Sequence, residues 1–239
     1  MAEEGKRTVA VIVPAYNEAS RISAVLRAVR SCRLVDEVIV VDDGSEDDTA
    51  DVAEQVPGVQ VVRLAQNKGK GGAMAEGVRA TRAPLVAFVD ADLGGLEGGH
   101  LERIIQPLLE NKCEMSVGIF RGGKMWSDAA QRVSPYLSGQ RAMKREVFEA
   151  VPNIDDLGYQ VEIALNAAAK RRKDRVLRVV LRGVSNCFKE EKSGLVKGTV
   201  DRLKMYSEIG QAMAKTMVKP KKRPRRRLKK RNDKWHWPP

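Results

Sequence analysis

The chain has 239 residues, of which 43% are hydrophobic, and this suits one sizeable α/β domain with an appendage and excludes a fully disordered chain. Its formal net charge of +12 is unevenly placed: residues 219–234 hold 11 basic residues and one acid, a net +10, which leaves +2 for the rest. We therefore expect a nearly neutral folded body followed by a disordered basic tail.

Cysteine content and hydropathy indicate the cellular compartment of the protein. Cys32, Cys113 and Cys187 show no metal-site spacing and favour reduced thiols in the cytoplasm. No apolar run approaches the roughly 20 residues of a membrane span, and the first residues lack the apolar stretch of a signal peptide. The sequence predicts a cytoplasmic protein, soluble or peripheral on the inner face of the cell membrane.

Apolar runs that are typical of buried strands alternate with helical patterns in the first half of the chain. Strands are predicted at residues 8–14, 37–42, 59–64 and 85–90, and helices at 22–29, 47–56 and 70–82. This β-α-β-α-β-α-β order predicts a mainly parallel sheet with right-handed crossovers. Ligands of such sheets bind at the carboxyl ends of the strands.

The second half is less regular. Its predicted elements are a weak strand at 115–120, a helix within 158–172 that carries Glu162, a strand at 176–184 and a long amphipathic helix at 194–218. The segment LSGQRAMKREVF, residues 137–148, receives no assignment.

Polar residues follow three of the predicted strands: Pro14–Glu18, Asp42–Ser45 and Asp90–Asp92. Alternate side chains of a strand share one face, so Asp90 and Asp92 are predicted to point the same way. Two carboxylates held that close need a cation.

Four segments in this order and spacing, VIVPAYNE, IVVDDGSEDDT, NKGKGGAM and FVDADL, resemble glycosyltransferase family 2, whose members have the GT-A fold. SGQRAMKREVF and GYQVEIAL resemble the acceptor-side region of the branch that contains polyprenyl-phosphate sugar transferases and glucosyl-3-phosphoglycerate synthases. The resemblance covers about residues 8–200. It implies an α/β GT-A domain over 1–193, an amphipathic helix at 194–218 that packs on this domain or on a partner subunit, and a tail at 219–239.

The resemblance also implies an activity. The expected reaction is metal-dependent transfer of a sugar from a UDP- or GDP-sugar to a phosphate-bearing or lipid-linked acceptor. A soluble acceptor, as for glucosyl-3-phosphoglycerate synthases, is the alternative. A nucleotidyltransferase is disfavoured because PAYNE stands where its Gly-rich basic loop would follow the first strand.

On the donor side, the resemblance implies that Asp92 binds Mg²⁺ or Mn²⁺ and acts in catalysis, with Asp90 nearer the ribose or a metal-bound water. Oxygen ligands suit these hard cations, which neutralise a diphosphate leaving group. Lys70 is predicted to contact the diphosphate from the first turn of a helix, where anions are favoured. A solvated surface lysine is the alternative.

The nucleotide base has its own predicted contacts. By resemblance, Pro14, Tyr16 and Glu18 line the turn that holds the base, and Asp43 accepts a hydrogen bond from a uracil or guanine N–H. Ordinary turn and capping chemistry is the alternative for Tyr16 and Asp43, and Asp42 is expected to cap or brace the loop.

On the acceptor side, Arg141 is predicted to clamp an acceptor phosphate, because guanidinium geometry matches phosphate oxygens; a surface arginine is the alternative. Glu162 is predicted to act as base or to orient the acceptor, and a phosphate acceptor of low pKa would need only orientation. An exposed helix-face glutamate is the alternative for Glu162. Relatives carry a histidine after the last strand, where GVSNCFKEEK offers Asn186 as a weaker metal ligand.

The basic tail has two possible functional interpretations. Its charge and Trp235 and Trp237 predict attachment to an anionic membrane. Nucleic-acid binding is disfavoured, because the body is nearly neutral and no aromatic residue interrupts the basic run. The apolar side of helix 194–218 predicts core or homodimer packing.

Overall fold

A seven-stranded mixed sheet organises the computed structural model, which describes residues 8–121 and 138–186. The strands are β1 (Val9–Ala15), β2 (Glu37–Asp42), β3 (Gln60–Arg63), β4 (Leu85–Phe88), β5 (Leu93–Gly94), β6 (Met115–Arg121), β7 (Arg141–Lys144), β8 (Val176–Arg182) and β9 (Ser185–Asn186). The α-helices are α1 (Ile22–Arg30), α2 (Thr49–Glu54), α3 (Gly69–Arg79), α4 (Gly98–Leu109), α5 (Arg145–Glu149) and α6 (Val161–Arg172). Two 3₁₀ turns, Ile154–Asp156 and Gly158–Gln160, precede α6.

The sheet order is β3-β2-β1-β4-β7-β6-β8, with β5 and β9 as a separate antiparallel pair. β1 pairs in parallel with β2 and β4, β2 with β3, and β6 with β8. β7 runs antiparallel to both β4 and β6. The prediction of a mainly parallel sheet flanked by helices is therefore confirmed. Because β2 and β4 lie on opposite sides of β1, a ligand crevice is expected at the carboxyl ends of β1 and β4.

Helices cover both faces of the sheet. Alternate residues of β1 point to opposite faces, so this strand contributes to a buried cluster on each side. Val11 and Val13 join a buried cluster with Leu26 of α1 and Leu101 of α4. Ile12 joins the opposite cluster. That second cluster also holds Met74, Val78, Val161 and Leu165, from α3 and α6.

Close contact between α3 and the first 3₁₀ turn brings α6 to the crevice. A Cβ on Gly71 would lie 2.4 Å from the carbonyl oxygen of Ile154, so a side chain there would push the turn away. The absence of a side chain at this position therefore lets the start of α6 approach α3.

Several predictions lie outside the described residues. These are the helix at 194–218, the tail at 219–239 and Cys187, so the proposed domain limits stay predictions. Cys32 and Cys113 are buried free thiols. Within residues 8–121 and 138–186, no helix has the length and apolar content needed to cross a bilayer.

Candidate active site

The loops after β1 and β2 are held together by hydrogen bonds. Asn17, with a left-handed φ of 56°, donates its backbone N–H to Ser45 Oγ over 3.0 Å, and its Oδ1 accepts the Glu46 N–H over 2.8 Å. The backbone N–H of Glu18 donates to Thr49 Oγ1 over 2.7 Å. PAYNE and DDGS thus form one braced wall at the carboxyl edge of the sheet.

The residues predicted to hold the base lie along this wall with different exposure. Tyr16 is 43% exposed, Pro14 is half-buried, and Glu18 is buried with its carboxylate 3.8 Å from the Arg21 guanidinium. Asp43 is 4% exposed. Their contact with a base stays a prediction.

Asp42 and Asp43 have distinct environments. Asp42 accepts a hydrogen bond from the Ser45 hydroxyl, as expected for a residue that braces the loop. Asp43 Oδ1 accepts the Lys68 backbone N–H over 2.7 Å. Burial nevertheless raises the pKa of Asp43, and the backbone N–H groups of Lys68 and Gly69 offset this only in part.

We expect Asp43→Asn to raise the melting temperature at neutral pH, because asparagine keeps the Oδ1 acceptor and removes a buried charge. The folded state raises the pKa of this carboxyl, so the wild-type penalty is absent in acid and grows as pH rises through the unfolded-state value. The advantage of the variant should accordingly vanish at low pH. Calorimetry across the pH range checks this, and a lower melting temperature at neutral pH would contradict it.

Five charged and polar side chains, two half-buried and three buried, lie next to this wall and are called the buried charge cluster: Lys70, Asp90, Gln140, Arg141 and Glu162. Lys70 Nζ lies 2.7 Å from Asp90 Oδ1 and 2.6 Å from Glu162 Oε1. The Lys70 side chain is 18% exposed and Glu162 is 5% exposed, so neither is the solvated surface residue of the alternative interpretation.

Mutual attraction keeps Lys70 and Asp90 ionised. Burial acts to lower the pKa of Lys70, but the charges of Asp90 and Glu162 outweigh it and raise that pKa. Burial likewise acts to raise the pKa of Asp90, and Lys70 with Gln140 lowers it below its usual value. The cluster therefore holds an ammonium between two acidic side chains.

Residues 138–141, before and at the start of β7, form the other side of the cluster. Gln140 Nε2 donates to Asp90 Oδ2 over 2.7 Å. Arg141 is 0% exposed, with Nε 3.1 Å from the Ser138 carbonyl and Nη1 3.4 Å from the Glu162 carbonyl. The interpretation of Arg141 as a surface residue is wrong. Its burial lowers its pKa against the raising effect of Glu162 and Asp90.

Gly139 fits directly against the Asp90 carboxylate. A Cβ at this position would lie 2.4 Å from Oδ2 and 2.5 Å from Oδ1 of Asp90. The sequence interpretation singled out neither Gly139 nor Gln140, although both belong to the quoted SGQRAMK segment. Their role depends on a strand pairing that the sequence did not predict.

Asp92 lies beyond the end of β4, which stops at Phe88 rather than continuing through Asp90. The prediction that strand alternation aligns Asp90 with Asp92 is therefore wrong. Asp92 is half-buried and directly precedes β5, in which Leu93 pairs with Asn186 of β9. The main chain of Asn186 thus runs beside the residue that follows Asp92, and its role as a metal ligand stays a prediction.

The oxygen ligands that the protein offers fit a hard cation whose remaining ligands come from substrate and water. Among the residues that the structure describes, no three His, Cys, Asp or Glu side chains are grouped to hold a metal. Mg²⁺ commonly uses one or two carboxylates together with phosphate oxygens and water, so Asp92 suits such a site. His100 is used elsewhere: its Nδ1 accepts the Glu97 N–H in a capping box, and its Nε2 lies 3.0 Å from the Arg182 carbonyl.

Comparison with known proteins identifies the family. The model described as Glycosyl transferase family 2 matches residues 10–174, more than half of the chain. Dolichyl-phosphate beta-glucosyltransferase of Mus musculus is 38% identical over 101 residues, which are 36% of this chain and 31% of that protein. Glucosyl-3-phosphoglycerate synthase of Mycobacterium tuberculosis is 30% identical over 201 residues, 69% of this chain and 61% of the relative. The chain thus spans less than two thirds of these relatives.

The fold agrees with the sequence relationship. A crystal structure of the Mycobacterium tuberculosis glucosyl-3-phosphoglycerate synthase with Mn²⁺ and UDP-glucose aligns with a TM-score of 0.71 at 28% identity. The alignment covers 87% of this chain and 78% of that chain. The chain therefore belongs to glycosyltransferase family 2 and has the GT-A fold.

Proposed function

We propose that this protein is a metal-dependent glycosyltransferase that moves a sugar from a UDP- or GDP-sugar to a phosphate-bearing or lipid-linked acceptor. The observation that carries the proposal is the meeting of two groups of residues at one edge of the sheet. The loops after β1, β2 and β4 lie there beside the buried charge cluster, which includes side chains from residues 138–141 and α6. The relatives' names, which contain dolichyl phosphate and phosphoglycerate, support a phosphate-bearing acceptor.

The braced wall supports a role in donor binding. Tyr16 offers an exposed ring, and Asp43 a buried carboxylate, on loops that hydrogen bonds fix against each other. We propose that Pro14, Tyr16 and Glu18 contact the base and that Asp43 accepts its N–H. A rigid wall of this kind reduces the entropy lost when the nucleotide binds.

Asp92 is the proposed ligand for Mg²⁺ or Mn²⁺, with Asn186 as a second oxygen donor. When bound, the cation supplies positive charge that neutralises the leaving diphosphate. The Mn²⁺ complex of the mycobacterial synthase supports this choice of metal. Asp90, whose carboxylate Lys70 and Gln140 hold, is proposed to face the ribose side of the donor.

The acceptor side rests on Glu162 and Arg141. We propose that Glu162 orients the acceptor, since a phosphate acceptor is already ionised and needs no strong base. The role of Arg141 as a phosphate clamp stays a prediction, because its guanidinium would have to exchange a carbonyl partner for a phosphate oxygen. The Lys70 ammonium likewise would have to break its contact with Asp90 or Glu162 to bind the diphosphate of the sugar donor.

A thermal-stabilisation screen tests the donor class. UDP- and GDP-sugars with Mn²⁺ should raise the melting temperature, because a ligand that binds only the native state shifts the folding equilibrium. At a ligand concentration of 100 times Kd the shift corresponds to about 2.7 kcal/mol. Chelation should remove most of the effect. If no UDP- or GDP-sugar stabilises the protein with metal, the donor assignment fails.

The basic segment supports a further proposal, that the protein is cytoplasmic and binds the inner face of an anionic membrane. Residues 219–234 carry a net +10, and each Lys or Arg near such a surface contributes about 1 kcal/mol. This attachment would place the site near a lipid-phosphate acceptor, whereas a soluble acceptor would make it unnecessary. The helix at 194–218 is proposed to pack on the domain or in a homodimer.

Vesicle co-sedimentation checks the membrane proposal. The full chain should sediment with anionic vesicles at low salt and less at high salt, because mobile ions screen surface charge. A chain ending at Val218 should remain in the supernatant, and neutral vesicles are the control. Equal sedimentation of the two chains, or binding that ignores lipid charge, would contradict membrane attachment through the tail.

A further inference from the structure

Lys70 is the only residue of the buried charge cluster whose side chain bridges both of its carboxylates. Its Nζ lies 2.7 Å from Asp90 Oδ1 and 2.6 Å from Glu162 Oε1. Lys70 belongs to the first turn of α3, Asp90 follows β4, and Glu162 belongs to the first turn of α6. One ammonium therefore joins three elements that are distant along the chain.

The geometry favours a bridge over a phosphate ligand. Glu162 is 5% exposed and the Asp90 side chain 20% exposed, so without the ammonium the two carboxylates would face each other in a poorly solvated site. A lysine ammonium has three donors and can serve both carboxylates. Gln140 holds the other oxygen of Asp90 at 2.7 Å. Lys70 thus fixes the distance between the donor-side and the acceptor-side carboxylate.

We propose that Lys70 is a positioning residue for sugar transfer, which holds Glu162 in place against Asp90 rather than binding the donor diphosphate. The proposal rests on the proposed transferase function. Its effect on transfer passes through Glu162, the group proposed to orient the acceptor. Loss of Lys70 lets that carboxylate move away from Asp90, and the acceptor is then misaligned with the donor.

A double-mutant cycle of Lys70→Met and Glu162→Gln tests this role. Lys70→Met should lower kcat/KM about 100-fold, the loss typical of a group displaced by about 1 Å. The double variant should lose no more than the worse single variant, because residues that act as a unit give non-additive losses. Multiplicative losses would overturn the proposal, since a diphosphate contact acts independently of Glu162.

A second cycle in ligand-free protein measures the same coupling by melting temperature. Lys70→Met should lower the melting temperature. Adding Glu162→Gln should restore part of the loss, because it removes one of the two carboxylates that have lost the lysine ammonium. Additive changes would overturn the bridge. This readout needs no substrate, so it separates a failure of this inference from an absence of transferase activity in the wild type.

Two further variants complete the design. Lys70→Arg keeps the positive charge, so we expect it to fold even if Lys70→Met does not. We expect it to lose activity, because the longer planar guanidinium moves both carboxylates. Arginine binds phosphate well, so wild-type activity in Lys70→Arg would overturn the proposal. Lys112→Met is the control. It removes an exposed ion pair in which Lys112 Nζ lies 2.6 Å from Glu110 Oε2, so it should change neither kcat/KM nor the melting temperature.

Discussion

Asp92→Asn is expected to abolish the metal dependence of donor binding and to leave the ligand-free fold intact. The amide is nearly isosteric with the carboxylate but carries no charge, and hard cations bind it more weakly. Asp92 is half-buried at the end of the turn after β4, so the change leaves no cavity in the core. The measurement is the melting temperature with UDP or GDP, with and without Mn²⁺.

Asp51→Asn is the matched control for this variant. Asp51 lies on α2 and pairs at the surface with Arg63 over 2.6 Å, and the exposed pair should contribute little to stability. Its metal-dependent stabilisation should equal that of the wild type. Asp92→Asn protein that responds to Mn²⁺ and nucleotide as the wild type does would refute the metal-site assignment.

Gly139→Ala should reduce turnover strongly through a single methyl group. That group would lie 2.4 Å from Asp90 Oδ2, so the carboxylate or the chain at residues 138–141 must shift. The shift would separate Asp90 from Gln140 and Lys70, which hold it at 2.7 Å on either oxygen. A displacement of this size at an active site costs about 100-fold in rate, and kcat measured at saturating donor checks it.

Gly99→Ala provides the comparison for Gly139→Ala. A Cβ at Gly99 meets no atom within 4 Å, and Gly99 lies in α4, where alanine favours the helix. We expect wild-type turnover and an unchanged or slightly higher melting temperature. If Gly139→Ala and Gly99→Ala are equally active, close contact between Gly139 and Asp90 has no catalytic importance.

Local sequence patterns were sufficient to predict most of the sheet. The pattern in residues 37–42 predicted a strand with the bounds of β2, and the helix predicted at 22–29 corresponds to α1. The buried face of α1 consists of Ile22, Val25, Leu26 and Val29. These elements have strong apolar periodicity, which depends only on neighbours along the chain. β7 was not predicted, because Arg141–Lys144 has charged ends and depends on β4 and β6 for its conformation.

The buried charge cluster could be predicted only in part. The sequence interpretation singled out Lys70, Asp90, Arg141 and Glu162. It did not predict that Lys70 bridges two of the others or that Arg141 is fully buried. These contacts join residues from four separate segments. Pairing of that kind follows from the tertiary arrangement of α3, β4, β7 and α6, and periodicity carries no information about it.

The most direct test of the proposed activity is to follow both products of transfer. Protein with Mn²⁺, a stabilising UDP- or GDP-sugar and either 3-phosphoglycerate or a polyprenyl phosphate is incubated, and the products are analysed by mass spectrometry. We predict equal amounts of nucleoside diphosphate and glycosylated acceptor, formed only with metal and acceptor present. No glycosylated acceptor under any of these conditions, or pyrophosphate-dependent breakdown of the donor to a nucleoside triphosphate and a sugar phosphate, would contradict the proposed glycosyl transfer.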